Sequence, residues 1–269
     1  MSKFTNLNLR HWNEVAKIHE NAPKGYYDIE NFKKGTLSLK SIELTELGDI
    51  SKKNILHLLC HIGLDTLSLA KLGAQVTGVD FSSESISIAN NFNKELNLNA
   101  KFICSDIYDL NSKLHEKFDI VFASYGVFVW LKDLDKFMKI VASYLNEGGI
   151  CYFVDGHPLS MIMQKENGEM VITRSYFDKT FSFNNKDLSH DYADKDAIIE
   201  NHSHEFFYNI GDITNSICNA GLNIEYLHEF PYCNLNYHED MIKCDDGWWR
   251  LTSGDTIPLT FSLMARKFI

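Results

Sequence analysis

The chain has 269 residues, 45% hydrophobic and 23% charged, a profile that excludes a disordered, collagenous or disulfide-scaffold chain. Its 26 Lys and Arg against 36 Asp and Glu give a net charge of −10, which argues against a nucleic-acid partner because phosphate contacts need clustered cations. The six cysteines form no C-x-x-C pair, no run of 18 apolar residues occurs, and Met1–Arg10 holds no apolar signal core; a cytoplasmic protein without a membrane segment is expected.

In chain order, a helix is predicted around Asn8–Glu20, then an irregular stretch through Pro23-Lys24-Gly25-Tyr26-Tyr27; residues 1–50 read as a lid. Asn54–Cys60 is a strand ending near Gly63, and Asp65–Leu72 is a helix closed by Gly73. Gln75–Asp80 is a second strand. A helix capped by Ser82 or Ser83 follows, to about Leu96, with Ile86, Ile88, Ala89 and Phe92 near one face. Lys101–Cys104 and Phe118–Ser124 are strands three and four. Leu134–Leu145 is an amphipathic helix stopped by Asn146-Glu147-Gly148-Gly149, and Ile150–Asp155 is strand five. From Pro158 the pattern loosens: residues 158–209 read as an insertion or substrate cap. Residues 210–269 supply a helix (Ile210–Ala220), strands at Asn223–Phe230 and Ile257–Lys267 paired antiparallel, and a loop between them at Cys233–Thr256.

Apolar, β-branched strands alternating with helices call for a doubly covered parallel sheet, with residues 51–157 as its core. Ligands of such sheets bind at the C-terminal strand edge. A glycine at 63 lets backbone approach a ligand, and the helix after it attracts negative charge. Asp80 at the end of strand two suits vicinal ribose hydroxyls, and Asp106 after strand three suits an exocyclic amine; together they describe an adenosine site. NAD is the first rival, but its diphosphate needs G-x-G-x-x-G, and Leu59, His61 and Leu64 crowd that turn. S-adenosylmethionine (SAM) has no diphosphate. Its carboxylate suits the helix start at Gly63–Thr66, and its amino group a strand-four carbonyl near Ser124 or Tyr125.

Ile55–Ala70 (ILHLLCHIGLDTLSLA), Gly73–Ile86, Phe102–Asp106, Phe118–Leu131 and Leu145–Pro158 resemble class I (Rossmann-like) SAM-dependent methyltransferases over residues 50–158. Gly221–Phe230 and Pro258–Arg266 are similar to the closing strands of bacterial small-molecule-type members. The resemblance implies an α/β fold: a Rossmann-like, seven-stranded, mostly parallel sheet of order 3-2-1-4-5-7-6 with strand seven antiparallel. It implies SAM as cofactor, S-adenosylhomocysteine as product, and ribose and adenine contacts at Asp80 and Asp106. The chain departs from the family where His57 replaces an acid and where Leu59 and His61 replace glycines. No N-P-P-Y or D-P-P-Y follows strand four, which lowers the expectation of amino-group methylation on bases or glutamine.

The expected cofactor contacts are therefore His57, His61, Gly63, Thr66, Asp80, Phe81, Asp106, Ile107, Ser124 and Tyr27. Tyr125, Trp130, Tyr176 and Trp248 are expected at the acceptor pocket, with core packing as the alternative for Trp130 and structural packing as that for Tyr176 and Trp248. His157, just past strand five, is the candidate base, with a turn histidine as the alternative. His202-Ser203-His204 matches no closed metal pattern, and no metal is expected. The expected activity is methyl transfer to a small-molecule acceptor; the alternative is a SAM-binding regulatory or partner-binding module without transfer. The acceptor and the oligomeric state stay open.

Overall fold

The computed structural model describes residues 3–22, 26–166, 169–178, 182–184, 191–238 and 240–268; Pro23, Lys24 and Gly25 of the expected irregular stretch lie outside them. One sheet carries the fold, built from β1 (Asn54–Leu58), β2 (Gln75–Asp80), β3 (Lys101–Cys104), β4 (Phe118–Ser124), β5 (Leu145–Gly156), β6 (Leu222–Phe230) and β7 (Thr260–Lys267). Its order is 3-2-1-4-5-7-6, with β7 antiparallel to both β5 and β6 and the first five strands mutually parallel. This is the expected topology.

The strands are apolar throughout because both sheet faces are covered. On β4, Ile120 and Phe122 face one layer with Ile55 and Tyr152, while Val121 and Ala123 face the other with Leu56 and Phe153. The second layer is closed by α5 (Leu134–Tyr144) and α6 (Ile210–Asn219), through Phe137, Val141, Ile213 and Ile217. The first is closed by Leu69 of α3 (Leu64–Lys71) and by Leu39, Ile42 and Ile50, which flank or belong to α2 (Ser41–Leu47). Residues 39–50 thus pack into the core. Further out, α1 (Lys3–Asn21) lies on α4 (Ser83–Glu95). Ala16 packs with Ile88 and Phe92, and Ser82 Oγ donates to Asn13 Oδ1 at 2.7 Å. Side-chain caps at Ser82, Asp133 and Asn209 accept from the third N–H of α4, α5 and α6 and fix where each begins.

Several boundaries differ from expectation; α1, for one, starts at Lys3 rather than Asn8. β1 stops at Leu58 rather than Cys60, because Leu59 (φ 54°) and His61 (φ 49°) turn left-handed. β5 starts at Leu145, paired with Phe118, so Asn146–Gly149 bends the strand rather than preceding it; Gly148 (φ 74°) lies beside a register shift. β7 starts at Thr260 rather than Ile257. The expected loop Cys233–Thr256 holds most of a small sheet of Tyr232–Cys233, Met241–Lys243 and Trp249–Leu251, segments too short for periodicity to register. The insertion forms a hairpin of Met163–Glu166 and Glu169–Ile172, and its strand Ser182–Asn184 pairs with His204–Phe206. Among the described residues no helix is long and apolar enough to cross a membrane.

Candidate active site

The turn between β1 and α3 holds positive φ at alternate positions: Leu59, His61 and Gly63 (φ 80°). Two of the three are not glycine, so the backbone shape of a glycine-rich loop persists without its glycines, at a conformational cost of roughly 1–3 kcal/mol per strained residue. Gly63 answers a packing need. A Cβ there would lie 2.7 Å from Ala89 Cβ and 2.8 Å from the Phe102 ring, so α4 and β3 set this residue.

The same loop orients Asp80. The His61 N–H donates to Asp80 Oδ2 and the Ser82 N–H to Oδ1, both at 2.9 Å. Burial pushes this carboxyl up to about 6, against the pull of those donors. The Phe81 backbone also bonds this carboxylate, and three donors still leave acceptor capacity for a hydroxyl. Asp106 caps the turn Ile107–Ser112, its Oδ1 accepting from Tyr108 N at 3.0 Å. Asp80, Phe81, Asp106 and Ile107 border one small cavity of about 60 Å³.

Asp80 and Phe81 also border a second cavity of about 250 Å³, with His57, His61, Gly63, Asp65, Ser124 and Tyr27. His57 is buried and held down at about 4 by desolvation, against the pull of Asp65, so its imidazole is neutral near pH 7; its Nδ1 lies 2.8 Å from Thr66 Oγ1. Thr66 is buried in that contact and borders none of the three cavities described here. Asp65 Oδ1 accepts from Ser38 Oγ at 2.5 Å and Oδ2 from Ser124 Oγ at 2.7 Å.

A third cavity of about 570 Å³ adjoins the second, and Trp12, Tyr26, Tyr125, Trp130 and Tyr192 border both. Trp130 borders all three, with the Trp12 ring 5.1 Å from it at 84°. Among the described lining of the large cavity there is no Lys or Arg. His11 lies on it. Its Nδ1–H donates to the Asn201 carbonyl at 2.8 Å, and burial lowers its pKa, which leaves Nε2 as an unprotonated acceptor.

Besides Thr66, three expected residues lie elsewhere. His157 borders none of these cavities: its Nδ1 accepts from Leu159 N at 3.1 Å, and its Nε2 sits 2.8 Å from Glu229 Oε1 without hydrogen-bond alignment. It is the turn histidine, capping Pro158–Met161. Tyr176 packs on Phe207, with its hydroxyl accepting from Ile210 N at 3.2 Å. Trp248 is buried, donating from Nε1 to Ser41 Oγ at 3.0 Å, with its ring 4.9 Å from Tyr232. Neither borders a cavity described here. Sequence reasoning missed Asp65, His11, Trp12 and Tyr192. Only Asp65 left a local signal, as the acid in the first turn after Gly63.

A buried relay runs beside the second cavity. Ser85 Oγ lies 3.2 Å from His61 Nδ1, His61 Nε2 lies 2.7 Å from His19 Nδ1, and His19 Nε2 lies 2.9 Å from Asp191 Oδ2. Burial opposes ionisation of Asp191, yet the bond to His19 holds its carboxyl below the ordinary range. Burial drives His61 well down. Among the described residues no group of three or more His, Cys, Asp or Glu could hold a metal ion.

Residues 55–149 match the family described as methyltransferase domain. A ubiquinone biosynthesis O-methyltransferase from Coxiella burnetii (strain RSA 493) is 30% identical over 153 residues, covering 57% of this chain and 59% of the relative. Another from Psychrobacter cryohalolentis is 33% identical over 102 residues, 36% of this chain and 39% of the relative. The chain thus spans less than two thirds of the relatives it matches. Among solved structures, a SAM-dependent methyltransferase from Mesorhizobium loti superposes with a TM-score of 0.59 at 18% identity, over 87% of this chain and all of that one. One from Clostridium acetobutylicum gives 0.55 at 18% identity, over 85% and 89%. The protein has the Rossmann-like fold of these solved methyltransferases, and its residues 55–149 match the methyltransferase-domain family.

Proposed function

We propose that this protein is a SAM-dependent methyltransferase acting on a small, non-anionic organic acceptor in a cytoplasmic setting. The observation that carries the reading is the pair Asp80 and Asp106 on the wall of one cavity, which shares Asp80 and Phe81 with the cavity under the β1–α3 turn. Asp80 is pre-aimed by backbone N–H groups of His61, Phe81 and Ser82 and keeps acceptor capacity for a ribose hydroxyl. Asp106, Ile107 and Phe81 flank the adenine end, and Gly63, His61, Ser124 and Tyr27 the amino-acid end. When bound, the cofactor supplies a methyl group already activated by its sulfonium.

The residues of the chain then position and exclude water. The ring of Trp12, Tyr26, Tyr125, Trp130 and Tyr192 stands where the second cavity meets the third; its π-faces attract a cationic sulfur and keep water out. The absence of Lys and Arg from the described lining of the large cavity disfavours an anionic acceptor. His11 Nε2 is available to hold a proton leaving an acceptor hydroxyl. The free cysteines and the net charge of −10 support the cytoplasmic setting and the absence of a nucleic-acid partner.

The test is incubation with methyl-labelled SAM and a metabolite extract, read by mass spectrometry. A labelled small-molecule product without an anionic group is expected. SAM binding with no labelled product would leave a nucleoside-binding regulatory module instead.

A further inference from the structure

We infer that Asp65 is the receptor for the ammonium of the cofactor's amino-acid end; the inference rests on the SAM reading above. The ammonium needs an anionic or carbonyl partner out of bulk water. The end of β1 does not provide an anion, because His57 is neutral, buried and engaged by Thr66. Three carboxylates border the 250 Å³ cavity: Asp28, Asp65 and Asp80. Asp80 belongs to the ribose end, where it joins the cavity of Asp106. Asp28 stands on the N-terminal segment, outside the sheet framework, where Oδ2 accepts from Asn31 Nδ2 at 2.7 Å and Oδ1 has no hydrogen-bond partner among the described residues.

Asp65 stands on the framework itself. It is in the first turn of α3, and its two oxygens are steered by Ser124 at the end of β4 and by Ser38. Each hydroxyl occupies one acceptor position per oxygen, so a second position on each remains for an N–H donor. Both steering groups are neutral donors, so the negative charge is oriented without being cancelled. Lys40 is the one Lys or Arg among the described residues of this cavity wall. The cavity therefore offers a zwitterion Asp65 as the anion on the framework and Lys40 as a cation.

Isothermal titration compares wild type and Asp65→Asn with two probes: S-adenosylhomocysteine, and 5′-methylthioadenosine, which lacks the amino-acid end. Loss of a charge-assisted hydrogen bond predicts about ten- to hundred-fold weaker binding of S-adenosylhomocysteine by the variant. Methylthioadenosine affinity stays within about two-fold, since distant contacts act independently. Asp65→Glu keeps the charge but displaces it, and should show a smaller loss confined to S-adenosylhomocysteine; it serves if the Asn variant fails to fold. Equal losses for both probes would make Asp65 a structural residue and overturn the inference, as would unchanged S-adenosylhomocysteine affinity. If wild type bound neither probe, the SAM reading itself would fall and this assignment with it.

Discussion

Glu43 is fully buried beneath the site, where Oε2 accepts from the Tyr125 hydroxyl at 2.9 Å. Burial, and then the charge of Asp65, push its carboxyl up to about 7 from an ordinary value of 4.5. Folding therefore favours the protonated acid. That contribution is complete below about pH 4.5 and is lost as pH rises through about 7. Glu43→Gln does not titrate, so its stability relative to wild type should improve by about 2 kcal/mol between pH 5 and pH 8. Urea unfolding at both pH values checks this, and parallel pH dependences in the two proteins would contradict it. Single residues were legible where chain punctuation marks them: Asp80 and Asp106 close strands and line one cavity. His157 was legible as a residue past strand five, but its ring direction was not, because the local cap on Leu159 N turns it toward Glu229. Asp65 shows the converse, since its worth comes from Ser38 and Ser124, 27 and 59 residues away.

The β1–α3 turn is the element on which the proposed cofactor site depends, and Gly63 is its fixed point. Gly63→Ala would combine a left-handed φ with contacts under 3 Å to Ala89 and Phe102. It should destabilise the fold by roughly 2–4 kcal/mol. Thermal unfolding measures that cost, and a melting temperature equal to wild type would show that the turn is not held as described. The strands and helices from β1 to α5 were readable because each combines an apolar run with a clear stop, such as Gly73 or the cap at Ser82. The small sheet of residues 232–251 was not, because its two- and three-residue strands are defined by pairing partners rather than pattern. Leu59 and His61 broke the glycine pattern while keeping its backbone, so side-chain identity there understated the likeness of the turn.

At the scale of the molecule, the N-terminal helix and the insertion make one cover over the sheet edge. Glu14 accepts from the N–H groups of Glu200 and Asn201, Asn8 exchanges two hydrogen bonds with the His204 backbone, and His19 meets Asp191. These partners are 172 to 196 residues apart, beyond any local reading. Asp191→Ala leaves His19 Nε2 without that partner, a cost of about 1–3 kcal/mol felt locally. Hydrogen exchange should then accelerate in α1 and around residues 199–206 while β1, β4 and β5 stay protected; unchanged exchange in the cover would show that the latch bears no load. The account as a whole stands on Asp80 holding a nucleoside. Titration calorimetry with S-adenosylhomocysteine tests it directly. Wild type should bind at micromolar concentration and Asp80→Ala at least about ten-fold more weakly. No heat at millimolar ligand, or equal affinity in the two proteins, would contradict it.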